Sequence, residues 1–221
     1  MGNIAIDGPA GAGKSTIAKM VAKELEFIYV DTGAMYRAIA LSCIRHGIDV
    51  KDEENVVKAC EKAKVTIKYI DGSQKIFLDD EDVTSTIRTE EVGNGASAVS
   101  VFGEVRRRLV KMQQELAKNA NVVMDGRDIG TVVLPDAELK VFLTASVEER
   151  AKRRVNEMAE KGVTVDFEKT KAEIAERDER DTTRKESPLK QAEDAIFLDT
   201  TSMSIDEVKN KIIELYNKAA K

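Results

Sequence analysis

The chain has 221 residues, of which 42% are apolar and 34% charged, with no tryptophan and a formal net charge of −5. That length fits one large domain, or one domain with an insert, and the apolar content suffices for a true core. The acidic balance argues against a general nucleic-acid or membrane surface, while leaving room for a local positive site.

The first predicted element is a strand, NIAID at 3–7. No basic segment or long apolar stretch precedes it, so no signal peptide is expected, and no run of about 18 apolar residues marks a membrane span. MGNIAI begins like a myristoylation site but has Ile6 where Ser or Thr is needed. A helix is predicted over 14–25, a strand at 27–31 (FIYVD) and a helix over 34–46. His46, before Gly47, reads as part of that helix's C-terminal cap. A further helix is expected over 53–64. Cys43 and Cys60 form no CxxC and read as free or buried thiols of a reducing cytosol.

The stretch 64–83 then breaks the pattern, with two alternating runs around Asp71-Gly72, a hairpin signal. Residues 64 to about 91 are therefore read as a small antiparallel insert. Beyond it come a helix over 99–118, strands at 121–125 (NVVMD) and 139–144 (LKVFLT), helices over 147–161 and 167–180, a strand at 195–199 (AIFLD) and a helix over 205–218. Ser146–Glu149 and Ser204–Glu207 have capping-box spacing and set two helix starts. Strands this apolar are covered on both faces, and their alternation with helices predicts an α/β fold with a mostly parallel sheet.

Chemistry enters with GPAGAGKS at 8–15, which fits G-x-x-x-x-G-K-[ST] between a strand and a helix. Gly8, Gly11 and Gly13 let the backbone wrap a phosphate, and the helix N-terminus adds partial positive charge. Lys14 would reach the β/γ-phosphates and Ser15 would ligate Mg²⁺. The strand NVVMD makes Asp125 a second magnesium ligand, acting through water. Asp7 is read as pinning the phosphate loop. The motif leaves two classes open, a kinase with a small acceptor and a GTPase-type switch. The guanine-reading N-K-x-D is missing, since NKII at 210–213 and NKAA at 217–220 lack the Asp. A kinase needs arginines against the transferring phosphoryl group, and Arg37, Arg106, Arg127, Arg177 and Arg184 stand at strand or helix ends. Arg177, Asp181 and Arg184 are spaced i, i+4, i+7 and share one helix face. Taken alone they would make an ordinary solvated ladder.

DTGAMYRA (31–38), DGRDIGTVV (125–133), RDERDTTR (177–184), SPL (187–189) and LDTT (198–201) resemble the bacterial-type cytidylate kinases, of the P-loop nucleoside monophosphate kinase superfamily. The resemblance runs from about Ile4 to the C-terminal helix. It implies a five-stranded parallel sheet with helices on both faces, carried by a core of 1–31 and 119–221 with a lid at about 150–177. It also implies a CMP-binding domain over 32–118 that contains the β insert at about 64–91. The reaction implied is ATP + (d)CMP to ADP + (d)CDP, with Mg²⁺, in a cytoplasmic monomer that binds neither nucleic acid nor membrane. ATP would be held by Gly8, Pro9, Ala10, Gly11, Ala12, Gly13, Lys14, Ser15, Thr16 and the lid arginine Arg153. Thr32, Tyr36 and Arg37 would take the acceptor phosphate, and Ser97, Arg106 and Asp128 the cytosine. Arg177 and Asp181 would address ribose and phosphate, with Lys14, Arg127, Arg177 and Arg184 as the catalytic charges. Asp178 and Arg180 are read as structural, Arg150 and Arg154 as surface charges. Gly95 and Gly103 stand where the family has Ala and Pro. The alternatives are a kinase of another small acceptor, such as UMP or AMP, and a non-enzymatic nucleotide sensor.

Overall fold

The computed structural model describes residues 2–70, 72–160 and 162–220. In chain order the elements are β1 (Asn3–Asp7), α1 (Lys14–Glu24), β2 (Ile28–Asp31), α2 (Thr32–Arg45), α3 (Glu53–Lys62), β3 (Val65–Ile70), β4 (Ser73–Leu78), β5 (Glu81–Asp82), α4 (Glu90–Val99), α5 (Gly103–Ala117), β6 (Val122–Gly126), β7 (Leu139–Thr144), α6 (Val147–Glu160), α7 (Phe167–Thr183), β8 (Ile196–Asp199) and α8 (Ile205–Ala219). The main sheet has the order β2-β6-β1-β7-β8, and β1 runs parallel to both β6 and β7, as β7 does to β8. Its register sets Asp7 beside Gly126 and Phe142, so the carboxyl ends of the central strands carry the chemistry-bearing residues, as open α/β sheets do.

The chain divides into two compact units, 1–29 with 120–221, and 30–119. In the first, Ile4, Ile6, Val123, Val141 and Leu143 pack against Ile17 and Val21 of α1 and Val208 and Ile212 of α8. Ala5 and Met124 are equally buried, which is why these strands read as apolar throughout rather than alternating. In the second, Met35 and Ile39 of α2 meet Val56 and Cys60 of α3, Ile76 and Leu78 of β4, and Leu109 of α5. Cys43 and Cys60 are both free and buried there.

The expected insert is a three-stranded antiparallel sheet, β3-β4-β5. Ile70 pairs with Ser73, and Gly72 has φ +71°, as a two-residue hairpin loop demands. Asp71 of the expected turn lies outside the described residues, as does Lys161 at the end of the helix predicted over 147–161. A second tight turn, missed in the sequence, uses Asp79 and Asp80 at φ +50° and +68°.

Two element predictions need correction. The helix predicted over 99–118 begins only at Gly103, and a separate helix, α4, precedes it. Glycines 93 and 95 hid α4, because glycine is a poor helix former. A Cβ at Gly95 would lie 3.1 Å from that of Ala40, so close packing on α2 selects the small residue. The second correction concerns caps. Ser204 and Glu207 form a full capping box, but at α6 only the half from Glu149 N–H to Ser146 Oγ exists. The Glu149 carboxylate is engaged by Arg153 instead. His46 caps α2 as expected, donating Nδ1–H to the Ser42 carbonyl at 2.8 Å.

Candidate active site

The phosphate loop leaves β1 and enters α1 with three glycines at positive φ: Gly8, Gly11 and Gly13. A side chain at Gly8 would put its Cβ 1.9 Å from the Leu143 carbonyl oxygen, so the loop can pass β7 only as glycine. Gly13, at φ +85°, precedes α1, whose first turn holds no acidic residue, leaving the helix's positive end suited to an anion. Lys14 is buried and donates Nζ–H to the Pro9 carbonyl at 2.7 Å. Burial, then the positive Arg127, holds its pKa well below the ordinary lysine value, against the pull of Asp125, Asp181 and Asp7. A phosphate at this position would favour the charged form.

Ser15 and Asp125 come together as expected, Ser15 donating Oγ–H to Asp125 Oδ2 at 2.7 Å. The other oxygen, Oδ1, accepts from Tyr29 Oη at 2.8 Å. Sequence reading missed Tyr29, whose strand position carries no motif. A hydroxyl beside a carboxylate is a hard oxygen set that suits Mg²⁺. Among the described residues no group of three or more His, Cys, Asp or Glu could hold a metal.

At the end of β6, Arg127 donates Nε–H to Asp181 Oδ2 at 2.7 Å, and Arg184 Nη1 lies 3.8 Å from Asp181 Oδ1. Burial pushes the Asp181 carboxyl up, but Arg127, Arg177 and Arg184 outweigh it and hold the pKa below the ordinary value. The shared α7 face is therefore a cluster about one buried carboxylate, not a solvated ladder. Arg184 also donates from Nε and Nη2 to the Ser187 carbonyl, and Leu189 N–H bonds the Asp181 carbonyl, which gives the SPL segment a visible task.

Asp128 is buried and starts a π-helical turn over Ile129–Val133. Asp7 holds a different loop from the one expected. Its carboxylate accepts from Ile129 and Gly130 N–H at 2.8 and 2.7 Å, so it pins the loop after Asp128 rather than the phosphate loop. Burial raises its pKa to about 6, against the lowering effect of those two bonds.

In α6, Arg153 donates to the Thr200 carbonyl at 2.9 Å and approaches the Ala12 carbonyl at 3.5 Å, beside the loop. Arg154 and Arg180 face solvent in i,i+3 and i,i+4 pairs. Arg150 is not the surface charge expected: its side chain is 4% exposed and paired with Asp178.

The unit over 30–119 holds the remaining predicted residues. Asp31 caps α2 through Ala34 N–H at 3.0 Å and pairs with Arg88 at 2.8 Å. Thr32 is buried next to it. The Arg106 guanidinium lies 5.4 Å from the Tyr36 ring centroid and donates to the Ser100 carbonyl at 3.0 Å. Ser97, also buried, is one turn before Ser100 and accepts its hydroxyl on the backbone carbonyl. Arg37 donates to the Ile87 carbonyl at 3.3 Å and crosses α4 at Gly93. Sequence reading missed Arg88, because its partner Asp31 is 57 residues away.

Lys14, Ser15, Asp125, Arg127, Asp128, Arg153, Arg177, Asp181 and Arg184 thus belong to one unit, and Thr32, Tyr36, Arg37, Ser97 and Arg106 to the other. Among the described residues no helix is long and apolar enough to cross a membrane.

Comparison with known proteins identifies the family. The family model described as cytidylate kinase matches residues 4–218. A cytidylate kinase of Caldicellulosiruptor bescii is 56% identical over 99% of this chain and 97% of its own. One from Bacillus pumilus is 52% identical over 99% and 97%. The structure of an uncharacterized protein from Eubacterium ventriosum, 14% identical, covers 98% of this chain and 99% of its own with a TM-score of 0.55, a likeness of fold alone. With its family model spanning nearly every residue, the chain belongs to the cytidylate kinase family.

Proposed function

We propose that the chain transfers the γ-phosphoryl group of ATP to CMP, and to dCMP, yielding ADP and the nucleoside diphosphate. The observation that carries this is the set of charged and polar side chains around the phosphate loop: Lys14 on the Pro9 carbonyl, Ser15 on Asp125, and Arg127 and Arg184 about Asp181. In the reaction an oxygen of the CMP phosphate forms a bond to the γ-phosphorus as the bond to the β,γ-bridging oxygen breaks, and ADP carries off the electron pair. That acceptor is largely a dianion at pH 7, so no general base is required. The difficulty is bringing two polyanions together. Lys14, Arg127, Arg177 and Arg184 would offset that repulsion and the charge that develops on the transferring group. Asp181 keeps the arginines fixed and would accept from the ribose hydroxyls.

Ser15 and Asp125 would hold Mg²⁺, which supplies charge neutralisation at the β- and γ-phosphates when bound. Backbone groups of Gly8 through Thr16 would cradle ATP, and Arg153 would close on it. Thr32, Tyr36 and Arg37 would take the acceptor phosphate, a guanidinium suiting a phosphate's oxygens. Ser97 and Arg106 would address the N3/O2 side of cytosine, and Asp128 would accept from its N4 amino group. A cytoplasmic setting belongs to the same proposal and is supported by the two buried free thiols.

The experiment is ADP release from ATP with CMP, dCMP, UMP, AMP and GMP offered separately. CMP and dCMP should be used at rates well above the others. Equal rates with UMP or AMP would favour a kinase of broader acceptor, and binding of ATP with no ADP release for any acceptor would favour the sensor.

A further inference from the structure

The Arg150–Asp178 pair belongs to none of the roles above. Arg150 sits in the first turn of α6 and Asp178 in α7, with Nη1 and Oδ2 2.6 Å apart and side chains 4% and 19% exposed. A buried pair of this kind is a weak source of net stability, because desolvation offsets most of the attraction. What it touches is more informative. Asp178 Oδ1 accepts the N–H of Ala10 at 3.2 Å, and Arg150 Nη1 donates to the carbonyl of the same residue at 2.8 Å. Arg150 Nε is held by the Ala145 carbonyl at 2.9 Å. Both backbone groups of one phosphate-loop residue are thus gripped, next to Gly11, which has little conformational preference of its own. A Cβ at Gly11 would lie 3.4 Å from that of Arg150, so the helix side chain packs directly on the loop.

The grip extends to Lys14. The peptide that joins Pro9 to Ala10 donates its N–H to Asp178 at one end and accepts Lys14 Nζ on its carbonyl at the other. Rotating that peptide would move the carbonyl that receives the ammonium. We propose that Arg150 and Asp178 are positioning residues for nucleotide binding: together they fix the two peptides that flank Ala10, and through the Pro9–Ala10 peptide the Lys14 ammonium. The proposal rests on the reading that this loop binds ATP. It gives the aspartate that follows Arg177 a task on the donor side, while Asp181, three residues on, serves the arginine cluster.

The test is equilibrium binding of ATP with Mg²⁺, by calorimetry, to the full chain and to Asp178→Asn, Asp178→Ala, Arg150→Lys, Arg150→Met and the double variant Arg150→Met/Asp178→Asn. Thermal unfolding is recorded for each. Asp178→Ala and Arg150→Met should weaken ATP by roughly tenfold, since each leaves a charged partner buried and one backbone group of Ala10 unheld. Asp178→Asn keeps an acceptor for Ala10 N–H and should lose less. Arg150→Lys keeps the charge but lacks the fork that reaches three carbonyl and carboxylate oxygens, and should recover only part. The double variant should lose less than the product of its two single losses, because the sites are coupled. The KM for CMP at saturating ATP should stay within about twofold of the parent, as a donor-side role implies. Should Asp178→Ala not fold, Asp178→Asn and Arg150→Lys decide on the same readout. ATP affinities equal to the parent's in the folded variants, even with lowered melting temperatures, would make the pair a purely structural one and overturn the proposal. Failure of the proposed function would show differently, as a parent that binds ATP without transfer to CMP.

Discussion

At the scale of single residues, two carboxylates make separable predictions. Asp128 is buried at the end of β6, and a carboxylate accepts from the N4 amino group of cytosine where it would repel the carbonyl of uracil. Asp128→Ala should lower kcat/KM for CMP by roughly 1–3 kcal/mol, the cost of one buried charged hydrogen bond, and narrow the CMP/UMP ratio while the KM for ATP holds. An unchanged ratio, with ATP and CMP use weakened alike, would make Asp128 a support of its own loop. Asp7 predicts a dependence on pH. Its pKa rises from 3.8 to about 6 on folding, mainly through burial. Below 3.8 both states are protonated and nothing is lost. As the pH climbs toward 6 the unfolded chain releases this proton while the folded chain keeps it, so stability falls, and above about 6 the loss is constant. Asp7→Asn cannot titrate. Its stability relative to the parent should therefore improve across that window by on the order of 3 kcal/mol, then level off. Urea midpoints of both proteins at several pH values check this, and parallel curves would contradict it. The Asp7 carboxylate was legible in the sequence as a loop support, but not which loop, because Ile129 and Gly130 reach it from 122 and 123 residues away.

At the scale of elements, the sequence was most legible where one physical constraint acts alone. Strands covered on both faces run apolar, and a phosphate loop needs glycines and a lysine at fixed spacing, so β1, β6, β7 and the loop into α1 could be read directly. Helix α4 could not. Its glycines answer to neighbours: Gly95 to Ala40, and Gly93 to the guanidinium of Arg37, whose Nη1 would lie 2.9 Å from an added Cβ. Arg150 was hidden for the same reason, since one arginine among the charges of α6 looks like a surface residue until the phosphate loop is folded against it. The α4 packing gives a prediction. Gly93→Ala should leave stability unchanged or raise it by up to about 1 kcal/mol, because alanine favours helix and the crowded atom is the end of a flexible side chain. It should displace Arg37, however, and raise the KM for CMP severalfold while the KM for ATP stays fixed. Steady-state kinetics with each substrate varied, beside a melting curve, would check both halves. A destabilised protein, or equal effects on both substrates, would contradict it.

At the scale of the whole molecule, an acidic chain of net charge −5 gathers basic side chains around the phosphate loop. Lys14, Arg127 and Arg184 are held by carboxylates and backbone carbonyls, so the groups that would meet phosphate are largely oriented before substrate arrives. Each of the two compact units has its own apolar core, which suits a protein that binds a donor and an acceptor with different residue sets. This machinery should move a phosphoryl group between nucleotides and not give it to water. A kinase must exclude water from the transferring group to achieve that. The most direct measurement follows ATP labelled in its γ-phosphate, with and without CMP. With CMP present the label should pass into CDP at a rate far above any release of labelled inorganic phosphate, and without CMP the ATP should stay almost intact. Labelled phosphate released at the same rate whether or not CMP is present, with none in CDP, would contradict the account.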